Sequence, residues 1–321
     1  MEPPEPATSA RKDELFELVH EVRAELLLRD ESPTGAWLEE TVEDLKSGRK
    51  PGWCYPLAQG GGLAFYSARL PEAFGHVHVP AGPDESERAR ALATALLDGL
   101  PNSVGSIDVG FTGLRVEAER ALLADLAHRP GSTVIERAYM ERALVPNDAA
   151  AAPPIPTGLR LVPIRAVTVD ALADLDWRAF RGSVDAFLIG GDLSQYRRVL
   201  LALLGGEMGR FLDEASTALL LPDPPRLAGA ILTAERSPHR AVFVDFMVDP
   251  EMRRRGYGGF LFRWGLRALC ALGYERIGLW VTSSNDAARR MYERAGLAVT
   301  ARAAIYRWER SGDAPQAHSA A

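Results

Sequence analysis

A proline- and alanine-rich break at residues 145–157 (VPNDAAAAPPIPT) divides the chain almost evenly, and the elements predicted on either side follow the same order. Pro153, Pro154 and Pro156 remove backbone donors and hold the chain extended, so the segment reads as a linker rather than a packed element. Before it, the apolar spacing predicts helices over 12–28 and 36–47 and strands near 53–57, 63–69 and 75–79. A helix over 85–97, a strand over 106–111, a helix over 116–127 and a strand over 133–143 complete that side. After it come a strand over 159–164, helices over 169–180 and 193–204 opened by Thr168 and Asp192, and strands over 216–221, 226–234 and 241–248. A helix over 259–272, a strand over 276–282, a helix over 286–295 closed by Gly296 and a strand pair over 299–309 follow. A repeat of roughly 150 residues is a duplicated domain, not a solenoid. The expected domains are 1–147 and 158–310, in an α/β fold.

Composition excludes several classes. At 321 residues with 47% hydrophobic and 25% charged side chains, the chain has material for two cores. A net charge of −6 argues against a nucleic-acid or anionic-membrane partner. Cys54 and Cys270 lie in separate apolar runs and read as two buried free thiols, neither a disulfide framework nor a zinc site. His76 and His78 alternate on one strand but have no third ligand nearby, so they read as ordinary histidines. The N-terminus lacks a basic and an apolar region, and Leu200–Leu204 is too short to span a bilayer. The expectation is a cytoplasmic protein without metal.

One segment suggests a ligand. Arg253, Arg254, Arg255, Gly256, Tyr257, Gly258 and Gly259 stand between an apolar strand and a helix. Glycines let a backbone approach phosphate closely, helix-start N–H groups point at it, and arginines add charge. The corresponding place in the first half reads Pro80-Ala81-Gly82-Pro83-Asp84-Glu85, and its acidic residues would repel a pyrophosphate. Downstream, Asn285 opens a helix on which Tyr292 lies two turns later. By periodicity alone Asn285 is as readily a cap as a ligand, and Tyr292 a core residue.

Together, VDPEMRRRGYGGFLFRWGLRAL (248–269) and LWVTSSNDAARRMYERAGL (279–297) resemble the GNAT superfamily of N-acetyltransferases. Arg253, Gly256 and Gly258 match its R-x-x-G-x-G acyl-CoA loop, and Asn285, Ala288, Tyr292, Gly296 and Leu297 match its second motif in order. The likeness is strong over 241–308, fair back to 159 and architectural before that. It implies two tandem domains of this type, each a mixed, mostly antiparallel sheet flanked by helices, with the first degenerate and the second catalytic.

The resemblance also implies a mechanism. The strands at 241–248 and 276–282 splay, and the main chain at Met247 and Val248 pairs with the pantetheine of acetyl-CoA, the co-substrate. N–H groups of 254–259 hold the pyrophosphate, Asn285 contacts the pantetheine or phosphate end, a primary amine attacks the thioester directly, and Tyr292 protonates the leaving thiolate. Some relatives carry a glutamate base where this chain has Val242. Asp245 lies on that strand but in odd register, so simple alternation points it to the opposite face; it is carried as the candidate base or substrate ligand. Asp176, Trp177, Arg181, Asp185 and Glu207, with Phe180 and Phe187, form an acidic and aromatic group suited to an ammonium, or else a solvated helix face over core aromatics. The expected acceptor is a small-molecule or peptide amine, and a homodimer is left open. Rival readings are a silent acyl-CoA-binding regulatory module and an aminoacyl transferase of the same fold.

Overall fold

The computed structural model describes residues 2–28, 35–149, 152–186, 192–206, 209–223 and 225–310. Glu207 and Phe187, both named above, lie outside the described residues, as do 150 and 151 of the linker. In chain order the elements are β1 (Glu5–Pro6), α1 (Lys12–Leu28), α2 (Gly35–Ser47), β2 (Gly52–Tyr55), β3 (Gly62–Arg69), β4 (Glu72–His78), α3 (Glu85–Asp98), β5 (Ser106–Thr112), α4 (Val116–Leu126) and β6 (Ser132–Ala143). Then come β7 (Arg160–Pro163), α5 (Val169–Phe180), α6 (Leu193–Leu204), β8 (Thr217–Pro222), β9 (Pro225–Ser237), β10 (Arg240–Val248), α7 (Tyr257–Ala271), β11 (Arg276–Thr282), α8 (Asp286–Arg294) and β12 (Ala298–Glu309). The same succession thus occurs twice. No helix among the described residues is long and apolar enough to cross a membrane.

The chain forms two compact units, Met1–Glu136 with Ala304–Ala321, and Arg137–Ala303. The first has the strand order β1-β2-β3-β4-β5-β12 and the second β6-β11-β10-β9-β8-β7. Pairing within each unit is antiparallel except for one parallel pair, β4 with β5 and β10 with β11. The expected closing strand pair is a single strand, β12. Its end, Ile305 to Glu309, pairs with β5 of the first unit, while Arg137 to Ala143 of β6 pair with β11 of the second.

Side chains explain these destinations. Tyr306 is fully buried in the core of the first unit, and Arg307 makes a bidentate pair with Asp108 on β5 at 2.6 and 2.7 Å. On β6, Ala138 and Met140 enter the core of the second unit, and the buried Glu141 accepts from Arg240 on β10 at 2.5 Å and Arg276 on β11 at 2.6 Å. Charged partners on β5 for β12, and on β11 and β10 for β6, help fix the register of these strands.

The helices of the second unit start and stop where the sequence indicates. Thr168 accepts from Ala171 N–H at 3.2 Å, and Asp192 with Gln195 forms a capping box at the start of α6. Gly296, with φ of 86°, ends α8. Helix α7 packs on one face of the sheet, where Phe260, Phe262 and Leu266 meet Phe243 and Leu279. Helices α5 and α6 cover the other face, where Leu172, Tyr196 and Leu200 meet Met247 and Leu232.

Candidate active site

Strands β10 and β11 pair only from Arg240 with Arg276 to Val242 with Gly278, and then separate although both continue. In the first unit the corresponding strands stay paired along their length, from Glu72 with Ser106 to His78 with Thr112. His76 and His78 both bond the Thr112 hydroxyl, at 2.9 and 3.0 Å, and His78 reaches Glu21 at 3.0 Å, which ties that end shut. Among the described residues, therefore, the gap between these strands lies in the second unit, with unpaired backbone facing it from β10. Met247 and Val248 lie on the β10 side of this gap.

A β-bulge shapes the gap. Phe243 faces Thr233 on β9 but Asp245 faces Leu232, so Val244 is an extra residue. A bulge re-aims every side chain beyond it. Asp245 consequently lies on the α5 side with Val242 and Val244, not on the opposite face that simple alternation implied. There it faces Asp176 of α5, which is 0% exposed and whose two oxygens meet no donor among the described residues while Asp245 is ionised. Burial pushes both carboxyls upward, and Asp176, beside the Asp245 charge, furthest. Two such groups share one proton and titrate as a pair. Val242 packs against Tyr139 and Ala234 and supplies no proton acceptor.

Beyond β10, the buried Asp249 caps a single helical turn and pairs with Arg178 and Arg226. The loop then enters α7 through two left-handed residues, Arg254 with φ of 62° and Gly256 with φ of 83°. Tyr257, Gly258 and Gly259 form the first helical turn, whose N–H groups have no intrahelical acceptor. No acidic residue stands in that turn, and Arg254 and Arg255 are exposed beside it. Arg253 is placed differently: its guanidinium donates to the carbonyls of Ala179, at 2.5 Å, and Val248, at 3.3 Å, and straps the loop to α5. The matching loop of the first unit is filled by its own side chains. Glu85 accepts from Gly82 N–H at 3.0 Å, and Arg88 donates to the carbonyls of Gly60, Gly61, Pro80 and Pro83.

Asn285 does both things its sequence position allowed. Its carbonyl oxygen accepts from Ala288 N–H at 3.2 Å, capping α8, and its amide donates to the buried Asp185 at 2.7 Å. Tyr292 is 7% exposed, its ring against Phe246 and Phe262 with centroids 6.3 and 5.9 Å away. Burial, then Asp185 and Asp245, push its phenol well up, so it stays protonated at any working pH. Trp177 and Phe180 pack on the core beneath α5, and Arg181 lies 4.2 Å over the Trp177 ring. Of the acidic group on this side, Asp176 and Asp185 reach the gap.

Sequence reasoning missed the residues that β6 brings. Arg137 and Tyr139 face Thr282 and Trp280 across the β6–β11 ladder, with the two rings 5.2 Å apart. A β6 that precedes the linker gives no sequence signal that it completes the second unit. Trp280 was findable, since it alternates with the core residues Leu279 and Val281.

The fold is of the GNAT type: a mixed, largely antiparallel sheet flanked by helices, here with an uncovered helix start beside splayed parallel strands. Residues 170–297 match the acetyltransferase (GNAT) family. A 59-residue stretch is 48% identical to mycothiol acetyltransferase of Mycobacteroides abscessus, covering 18% of this chain and 20% of that protein. Over nearly the whole chain the fold is similar to a GCN5-related N-acetyltransferase from Sphaerobacter thermophilus, with a TM-score of 0.60, 17% identity and 94% of each chain covered. It is likewise similar to a tandem GNAT protein from the clavulanic acid biosynthesis pathway, with a TM-score of 0.57, 16% identity, and 96% of this chain and 97% of that one covered.

Proposed function

We propose that the second unit transfers an acetyl group from acetyl-CoA to a primary amine, and that the first is a degenerate GNAT-like domain without a CoA site. The observation that carries this reading is the coincidence, in one unit only, of a strand gap and an uncovered helix start. The residues fit the co-substrate. N–H groups of 254–259 would receive the pyrophosphate with Arg254 and Arg255 adding charge, while unpaired backbone at Met247 and Val248 would accept the pantetheine as an extra strand. Asn285 would meet it by exchanging its bond to Asp185. Arg253 acts through the loop it straps rather than on phosphate directly.

The chain's own groups then move two protons. Asp245 in its ionised form takes one from the acceptor's ammonium so that the neutral amine can attack, and Tyr292 donates one to the thiolate released when the carbon–sulfur bond breaks, regaining it from the nitrogen as the amide forms. A main-chain N–H on β10 near Val248 would face the developing oxyanion. Purified protein mixed with acetyl-CoA and a library of amines and peptides should release free thiol with at least one acceptor. Absence of release with every acceptor, while acetyl-CoA still raises the melting temperature, would favour a silent binding module.

A further inference from the structure

On the face that Asp245 shares, the second unit carries donors that meet no acceptor among the described residues. Gly278 is the last residue of β11 paired to β10, so Trp280 and Thr282 stand on that face where the gap is open. Arg137 is directly opposite Thr282 on β6, and its guanidinium lies 6.0 Å from the centre of the Trp280 ring. Arg137 makes no hydrogen bond or ion pair within 4.0 Å among the described residues, and its Nε is shielded from solvent. Thr282 is 3% exposed and its hydroxyl also has no partner among the described residues. Asp185 is the acid that opposes Arg137, but Asn285 already holds it. Burial outweighs Asp185 and pulls the Arg137 guanidinium down, the mark of a cation short of compensation. Beyond Trp280, Arg236 lies 5.8 Å over the Tyr139 ring. A guanidinium and a hydroxyl left unengaged beside an aromatic ring make a place for an anion, since a guanidinium fork matches two oxygens of one group.

Building on the acetyl-transfer reading, we propose that the acceptor is an amine that also bears an anionic oxygen group. That group docks between Arg137 and Thr282, and the amine lies across the gap at Asp245. A neutral amine or a polyamine leaves the corner unfilled.

The test compares kcat/KM for two matched pairs, phenylalanine against phenethylamine and O-phosphoethanolamine against ethanolamine. The anionic member of at least one pair should be favoured tenfold or more, and the pair with the larger ratio tells carboxylate from phosphate. Arg137→Gln should collapse that ratio towards one, and Arg137→Lys should restore part of it. Equal use of both members, or a ratio unmoved by Arg137→Gln, would overturn the proposal. A binding arm separates this from failure of the transferase reading. Tryptophan fluorescence is titrated with N-acetylphenylalanine and with its neutral counterpart N-acetylphenethylamine, using Trp280→Phe as control. Should no amine turn over, acid-specific quenching that Arg137→Gln abolishes still supports the anion corner, and identical quenching by both compounds overturns it.

Discussion

The carboxyl of Asp176 on α5 faces that of Asp245 on β10, and the first is wholly buried without a donor to either oxygen among the described residues. Such a pair cannot hold two charges so close, and it keeps one proton between them. The other titratable groups facing it, Tyr196 on α6 and Tyr292 on α8, are themselves pushed upward and stay neutral.

The pair predicts how activity and stability depend on pH. Burial pushes Asp245 up to about 7, so turnover should rise with pH through neutrality as the pair goes from two protons to one and Asp245 becomes able to accept a proton. Asp245→Asn should lower kcat by about 100-fold or more, the usual range for loss of a general base. The stability effect has the opposite sign. A carboxyl whose pKa is raised by folding stabilises below its unfolded value near 4 and loses that contribution as pH climbs through the folded value. Thermal melts of Asp245→Asn should therefore exceed wild type at pH 8 and lose that advantage towards pH 4. A flat difference between the two proteins across that range would count against the shared proton.

Tyr292→Phe keeps the ring packed on Phe246 and Phe262 and removes only the hydroxyl. The expected outcome is a fall in kcat of about 10- to 100-fold, at the low end of proton-transfer contributions, with the melting temperature within a degree or two of wild type. An unchanged kcat would remove Tyr292 from the chemistry.

An acid at the start of α7 should reproduce the condition of the first unit, whose α3 begins with Glu85 and Glu87. Gly259 has room for a side chain, its nearest obstacle being the mobile end of Arg263 at 3.5 Å. Gly259→Glu should raise the KM for acetyl-CoA about tenfold, because a negative charge opposes the helix-start dipole where the phosphates belong. Differential scanning fluorimetry with acetyl-CoA should show the stabilising shift lost.

Glu141→Gln should destabilise the second unit, because the buried carboxylate holds two arginines on two strands. Both arginines are partly exposed, so the loss should be about 1–3 kcal/mol rather than that of a fully buried pair. Burial acts to raise Glu141, yet Arg276 and Arg240 hold it below the usual carboxylate range. Its contribution is accordingly present above the unfolded value near 4.3 and fades as pH falls through the folded one. In urea melts the gap between mutant and wild type should be smaller at pH 3 than at pH 7.

Much of this was legible because local chemistry carried it. Thr168, Asp192 and Gly296 mark helix ends by hydrogen bonds that their own side chains or dihedrals make. The arginine–glycine run stands out because few other sequences let a strand turn directly into an uncovered helix start. What was not legible depends on partners distant in sequence. Val244 is an ordinary strand residue, and nothing near it announces that it is the extra one, so the face of Asp245 came out inverted. Arg253 reads as a phosphate ligand until Ala179, 74 residues earlier, is seen to accept from it. Tyr306 and Glu141 each fit a strand on either side of the linker, and only the cores and arginines they meet decide where β12 and β6 go.

Hydrogen–deuterium exchange with and without acetyl-CoA locates the co-substrate on the chain. Protection is expected over 243–248, where the gap would take the pantetheine, and over 254–260 at the start of α7, with none over 80–88 of the first unit. Protection confined to 80–88, or none in either loop at saturating acetyl-CoA, would contradict that placement.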